Sequence, residues 1–269
     1  MKLSIITINY NNREGLQRTI DSVICQTWRD FEWIIIDGGS TDGSRELIEQ
    51  YQAHFAYWCS ERDKGIYNAM NKGIAKAKGE YLNFMNSGDC FYDGTVLEKI
   101  FHEGHNADII SGKVENQQYG NLLHPYEDSV LMQIYSDTLN HQGTFIRRQL
   151  LLRRPYDESL KIVSDWKFWL EAVLYEGANV VYSDVIVAKM DSTGISTNVA
   201  LIREERKSCL EQLPLPLTQV LEDYQQLRTW VEVRRLLHLR QKMPLLFWMC
   251  HYMITLSAKL ATTFVRNQS

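Results

Sequence analysis

Phe31-Glu32-Trp33-Ile34-Ile35-Ile36-Asp37-Gly38-Gly39-Ser40-Thr41-Asp42-Gly43-Ser44 is the stretch that decides the fold. Its first half is an apolar run too short for an ordinary helix and lacking the polar alternation of a half-exposed strand, so it reads as a strand covered on both faces. Its second half is turn chemistry. Two glycines permit tight reversals, Asp37 stands at the strand tip, and Asp42 or Ser44 can cap a following helix. Leu47, Ile48 and Tyr51 mark that helix. Buried strand, tight turn and helix together open a βαβ unit.

The same alternation extends outward. On the N-terminal side, Leu3 to Ile8 is a strand followed by a helix with Leu16, Ile20, Val23 and Ile24 on one face. On the C-terminal side come Phe55 to Cys59, a helix with Ile66, Ala69, Met70, Gly73, Ile74 and Ala77, and a strand from Tyr81 to Met85. Past about residue 113 the rhythm loosens: Gln117 to Asp128 reads as hairpin and loop, Gly143 to Ile146 and Val180 to Val187 as strands, and Trp166 to Leu174 as a helix. From Val199 the pattern is helical, broken by Pro214, Pro216 and Pro244. The expected organisation is an α/β domain over residues 1–198 and a helical C-terminal region over 199–269.

Composition agrees with a globular chain: 269 residues, 45% hydrophobic and 23% charged. Collagen-like and largely disordered classes are excluded. A net charge of −4 argues against a nucleic-acid partner, because phosphate-tracking proteins carry a basic excess. That average conceals a split. Residues 1–198 carry 19 basic and 27 acidic side chains, whereas 199–269 carry 10 and 6. Residues 233–269 hold six Lys or Arg and no acid, beside the apolar run Met243-Pro244-Leu245-Leu246-Phe247-Trp248-Met249. This pattern suits either a helix lying on an anionic membrane surface or a helical hairpin packed on protein. The run is too interrupted for a spanning helix, which needs about 20 apolar residues. Five dispersed cysteines point to a reduced, cytosolic setting. The apolar start yields to Asn9 too soon for a signal-peptide core, so residue 1 is expected inside the fold.

In open α/β sheets ligands bind beyond the carboxyl ends of the strands, which directs attention to polar residues there. The first strand ends in Asn9-Tyr10-Asn11-Asn12, the second in Asp37-Gly38-Gly39, and the fourth runs into Asn86-Ser87-Gly88-Asp89. Asp89 reads either as a turn aspartate or as a ligand to a hard divalent cation that shares a substrate phosphate. Ser40, Thr41 and Asp42 read equally as turn residues or ligand contacts. Neither a dinucleotide fingerprint nor a P-loop is present.

Taken together, Ser4 to Asn12, Gln26 to Gly43 and Asn86 to Asp89 resemble family 2 glycosyltransferases of the GT-A fold. Ser60-Glu61-Arg62-Asp63-Lys64-Gly65-Ile66-Tyr67-Asn68-Ala69-Met70-Asn71-Lys72-Gly73 resembles a signature of the exopolysaccharide and capsule subgroup, which includes colanic-acid-type enzymes. The resemblance is dense over residues 3–90 and sparser to about 198. It implies a Rossmann-like mixed sheet flanked by helices, with a C-terminal helical appendage. It implies that Asn9, Tyr10 and Asp37 hold the nucleotide, Asp37 accepting from the base, that Asp63 and Asn71 belong to the stretch that closes over nucleotide and ribose, and that Asp89 coordinates Mg²⁺ or Mn²⁺ on the donor diphosphate. Val163-Ser164-Asp165-Trp166-Lys167-Phe168-Trp169 resembles the family's E-D-x-x-x-W motif, making Asp165 the catalytic base. His141-Gln142-Gly143-Thr144 falls in the acceptor-facing region, where His141 reads as an acceptor or diphosphate contact or as a packing residue. Ser192 to Thr197 resembles the loop that covers the donor phosphates.

Two departures stand out. Gly88 replaces a second Asp, which implies weaker metal binding, and Ser164 replaces the usual Glu. Ser164 also reads as a helix N-cap, with Asp165 complementing the helix dipole. The implied activity is hexosyl transfer from a nucleotide sugar, UDP-linked above all, to a hydroxyl of a glycan or lipid-linked acceptor, with inversion, in surface polysaccharide synthesis. The implied setting is the inner face of the cytoplasmic membrane, bound peripherally through 233–269. Two other classes stay open: a nucleotidyltransferase, and a non-catalytic member of a polysaccharide-assembly complex.

Overall fold

The computed structural model describes residues 1–102, 104, 106–123, 130–191, 198–214, 218–220, 222 and 243. Strand β1 (Leu3–Asn9) leads through helix α1 (Arg13–Ile24) to β2 (Phe31–Asp37), and α2 (Ser44–Tyr51) leads to β3 (Tyr57–Ser60). Helix α3 (Ile66–Lys76) then leads to β4 (Tyr81–Phe84). These four strands are parallel, β1 lying between β2 and β4 with β3 outside β2. Leu3, Ile5, Ile6, Ile35 and Ile36 are fully buried, which is the cost-free outcome only for strands covered by helices on both faces. Helix α3 lies directly on β1: a Cβ on Gly73 would come within 2.5 Å of Ile6 Cγ2, so the contact requires glycine.

The second half supplies β5 (Cys90–Phe91), α4 (Val96–His102), β6 (Ile109–Asn116), β7 (Leu122–Leu123), α5 (Val130–Ser136), β8 (Thr144–Arg147) and α6 (Arg148–Arg153). It closes with α7 (Ser164–Glu176), β9 (Val180–Met190) and α8 (Val199–Glu211). Among the described residues the sheet order is β3-β2-β1-β4-β8-β6-β9-β5, with β7 beside β6. Strand β8 is antiparallel to both β4 and β6 and so joins the parallel half to the rest. Strands β6 and β9 are parallel, and β5 pairs antiparallel with β9. The mixed, helix-flanked sheet is the architecture the resemblance implies. Of the expected hairpin, β6 and β7 form the paired part and residues 124–129 lie outside the described residues.

The chain divides into two compact units, Met1–Gln212 and Leu213–Ser269. Helix α8, which the sequence places in the C-terminal region, belongs to the first of them. Its Glu205 accepts from the backbone of Lys161, Ile162 and Val163, and Arg206 donates to the Asp137 carbonyl. The segment 233–269 lies outside the described residues apart from Met243, and so does the loop Ser192 to Thr197. Among the described residues no helix is long and apolar enough to cross a membrane.

Candidate active site

Because β1, β2 and β4 are parallel, their carboxyl ends open on one edge of the sheet, where a cleft of about 840 Å³ lies. Asn9, Tyr10, Asp63, Asp89, His141 and Asp165 all line it. Sequence positions spread over 157 residues, from 9 to 165 inclusive of both ends, are thereby gathered into one cavity.

Asp37 stands behind the cleft wall, wholly buried. Its carboxylate accepts from Ser40 Oγ at 2.5 Å, Ser60 Oγ at 2.6 Å, Asn9 Nδ2 at 2.7 Å, Ser40 N at 2.9 Å and Gly39 N at 3.2 Å. Burial pushes its pKa up, but the donors from Ser40, Ser60 and Asn9 outweigh burial and hold it below the usual value. Asp37 thus ties the tips of β1, β2 and β3 together. Tyr10, 67% exposed, stands at the rim. A Cβ on Gly38 would lie 2.6 Å from Asp63 Oδ2 and 3.2 Å from Tyr10 Cδ2, so glycine leaves a narrow slot between that ring and that carboxylate. Asn71 does not line the cleft. Its amide donates to the Tyr156 carbonyl and Glu158 Oε1, and its oxygen accepts from Tyr156 N, which fastens the loop before α7.

Asp89 is 5% exposed, and its Oδ1 accepts from Asp191 N at 2.9 Å. Burial lifts its pKa to about 6, against the opposing pull of His141, the Asp191 N–H and the Gln142 side chain. Gly88 adopts φ +106°, and a Cβ there would meet Asp191 Oδ2 at 2.8 Å. The space that a side chain at 88 would enter is therefore held by Asp191, which also pairs with Arg18 at 3.3 Å. Sequence reading did not single out Asp191; its position directly after the last strand was the available signal. Nearby, Asn86 Oδ1 and Gln142 Oε1 are buried without hydrogen-bond partners. Unpaired hard oxygens beside two carboxylates fit a divalent cation. Among the described residues no group of three or more His, Cys, Asp and Glu side chains forms a metal cage. Such a cation would therefore draw further ligands from substrate phosphate and water.

Asp165 lies in the first turn of α7. Its Oδ1 is 3.0 Å from Tyr67 Oη and accepts from Trp166 N at 2.9 Å, while Oδ2 is 3.5 Å from His141 Nδ1. Tyr67 Oη also donates to the Ile162 carbonyl. Burial and the Asp165 charge raise the Tyr67 pKa far enough to keep the phenol protonated. His141 Nε2 lies 3.1 Å from Asn86 Nδ2. Burial alone would lower the His141 pKa, but Asp165 and Asp89 outweigh it and shift it up. His141 thus links the Asp89 and Asp165 sides. The N-cap of α7 is Val163 rather than Ser164. Ser164 is buried and its Oγ accepts from Asp157 N at 2.5 Å, so this residue braces a loop.

A nucleotide-binding-type half sheet, a carboxylate-rich cleft at its carboxyl edge and a second carboxylate on a helix start define a GT-A transferase. Residues 4–159 match the sequence model of Glycosyl transferase family 2. An uncharacterized glycosyltransferase of Mycobacterium tuberculosis (strain CDC 1551 / Oshkosh) is 32% identical over 210 residues, covering 73% of this chain and 77% of that protein. S. aureus TarS 1-349 in complex with UDP shares the fold with a TM-score of 0.66 at 20% identity, over 91% of this chain and 76% of that chain. Mannosyltransferase PcManGT from Pyrobaculum calidifontis, in complex with GDP-Man and Mn²⁺, gives 0.63 at 13% identity, over 97% and 80%. The chain belongs to glycosyl transferase family 2 and is a glycosyltransferase.

Proposed function

We propose that this chain transfers a sugar from a nucleotide-diphosphate sugar, a UDP-sugar in the simplest case, to a hydroxyl of a glycan or lipid-linked acceptor, by single displacement with inversion, in surface polysaccharide synthesis. One observation carries this reading: Asp89 and Asp165 line the same cleft, with His141 between Asp165, at 3.5 Å, and Asn86, at 3.1 Å. Structures of the same fold with UDP and with GDP-Man bound support a nucleotide-sugar donor.

In this reading the slot between Tyr10 and Asp63 receives the base. Asp37 shapes the donor side from behind the wall rather than by contact, and Asn71 holds the loop before α7, since their polar atoms are engaged with protein. Asp89 and Asp191, with the Asn86 and Gln142 oxygens, would hold Mg²⁺ or Mn²⁺. The cation supplies positive charge to the leaving diphosphate. Asp165 takes the acceptor proton as the new bond forms, and Tyr67 and Trp166 N fix its Oδ1 so that Oδ2 faces the acceptor. His141 Nδ1, 3.5 Å from Asp165 Oδ2, steadies the oxygen that takes the proton. The basic, apolar residues 233–269 place the enzyme on an anionic membrane surface, where a lipid-linked acceptor is found.

Incubation with a panel of nucleotide sugars, Mn²⁺ and acceptor tests the proposal. Release of nucleoside diphosphate with sugar on the acceptor is expected. Release of pyrophosphate from a nucleoside triphosphate would instead mark a nucleotidyltransferase, and no turnover of any donor would mark a non-catalytic role. Salt-sensitive sedimentation with anionic liposomes, lost on deleting 233–269, is the outcome expected of the membrane assignment.

A further inference from the structure

The start of α7 is held by a residue far along the chain. The helix has no side-chain cap of its own, since its N-cap is Val163. Glu205 on α8 instead holds the residues that lead into the helix: Oε1 accepts from Lys161 N at 2.8 Å, and Oε2 from Ile162 N at 3.0 Å and Val163 N at 3.2 Å. Three successive backbone N–H groups converging on one carboxylate form a nest, a strong and directional anchor. The same segment is gripped from the opposite side by Tyr67, whose hydroxyl reaches both the Ile162 carbonyl and Asp165 Oδ1. Beside it Arg206 lies over the Trp166 ring, 4.9 Å from its centroid, and donates to the Asp137 carbonyl at 2.6 Å. Asp165 is therefore set by a segment clamped between α3 and α8.

We propose that Glu205 is a positioning residue for transfer: it fixes the backbone of residues 161–163 and through it the direction in which Asp165 presents Oδ2 to the acceptor. This rests on the reading of Asp165 as the base. Displacing a base by about 1 Å can cost two orders of magnitude in rate, so an anchor of this kind acts on turnover while leaving donor affinity alone. Glu205 does not line the cleft and touches none of the donor-side residues.

The test compares Glu205→Ala, Glu205→Gln and Glu204→Gln in the full chain, with circular dichroism and melting temperature alongside kcat and donor KM. Glu204 is an exposed neighbour on the same helix, so its substitution removes the same charge without touching the nest. We expect Glu205→Ala to lower kcat by tenfold or more, about 1.4 kcal/mol or more in the barrier, with donor KM within about twofold. Glu205→Gln keeps one accepting oxygen and should recover part of the loss, and Glu204→Gln should match the parent. In an Asp165→Asn background, Glu205→Ala should produce no further fall in the residual rate. If Asp165→Asn itself retains near-normal transfer, the assignment of the base fails. If Asp165→Asn is inactive while folded Glu205→Ala and Glu205→Gln both keep the parent kcat, the role of Glu205 fails. A fall in kcat that is matched by an equal rise in donor KM, or that the Asp165→Asn background leaves additive, overturns it as well. Should Glu205→Ala not fold, Glu205→Gln carries the same comparison.

Discussion

A side chain at position 88 and the carboxylate of Asp191 compete for one volume, because a Cβ on Gly88 would stand 2.8 Å from Asp191 Oδ2. The second Asp that the family resemblance implies at this place therefore cannot simply be introduced. Gly88→Asp combines a clash with an unfavourable φ of +106°, and should lower the unfolding free energy by about 1–3 kcal/mol. Denaturant melts of the variant check this. Adding Asp191→Gly should relieve the steric part only; full recovery would show that φ carries no cost.

Loss of either proposed cation ligand should separate binding from folding. Asp89→Ala is expected to abolish transfer, and Asp191→Asn to raise the Mn²⁺ needed for half-maximal rate by roughly tenfold. Electron paramagnetic resonance of free Mn²⁺ measures the same weakening without turnover. Parent-like Mn²⁺ binding by both variants would remove them from the cation site.

Removal of the proposed base should cost at least about a hundredfold in kcat, the usual contribution of general-base catalysis, with no change in melting temperature beyond a few degrees. Asp165→Asn is the variant to assay. Tyr67→Phe should fall by about tenfold, since it deletes the single O–H that lies between the Ile162 carbonyl and Asp165 Oδ1. Rates close to the parent for Tyr67→Phe would show that Asp165 is oriented without the Tyr67 hydroxyl.

Acid stability offers a further check on the loop before α7. Lys167 Nζ stands 2.8 Å from Asp157 Oδ2 and Ser159 donates twice to Oδ1. Burial raises the Asp157 pKa, but these partners outweigh it and bring it from 3.8 to about 2. The folded value lies below the unfolded one, so the stabilisation is complete above about pH 4 and drains away as pH falls through 2. With the side chain 32% exposed, screening leaves on the order of 1 kcal/mol. Asp157→Asn should flatten the stability profile between pH 4 and 2 by about that amount. An unaltered profile would place the acid sensitivity elsewhere.

The parallel half was legible because a strand buried on both faces writes itself as a continuous apolar run, as in Leu3–Asn9 and Phe31–Asp37. Strand β6 was not, since Ile109-Ile110-Ser111-Gly112-Lys113-Val114-Glu115-Asn116 loses that run after two residues. Its pairing with β9 holds it instead, with Gly112 so close that a Cβ would meet Val187 Cγ2 at 2.5 Å. Strand β5, two residues long, likewise exists through its partner. That Asn9, Tyr10, Asp63, Asp89 and Asp165 line one cleft was foreseeable because each sits in a local motif. Asn71 and Asp37 were located but not their engagements, which depend on Tyr156 and Ser60 from distant loops. Asp191 carries no motif beyond its place directly after β9, and Glu205 none at all; three-dimensional proximity reveals what they touch.

The joining of Asp89 to Asp191 has a temporal meaning. On a ribosome the chain emerges N-terminus first, and the nucleotide-side strands can pair once residue 84 is available. The far half waits for β9, to which both β6 and β5 are bound, and the Asp191 N–H that fixes Asp89 arrives after the whole of that strand. A nascent chain thus holds the slot between Tyr10 and Asp63 long before it holds a finished carboxylate pair. A chain cut between residues 85 and 190 carries the residues of the slot but lacks the Asp191 N–H that fixes Asp89.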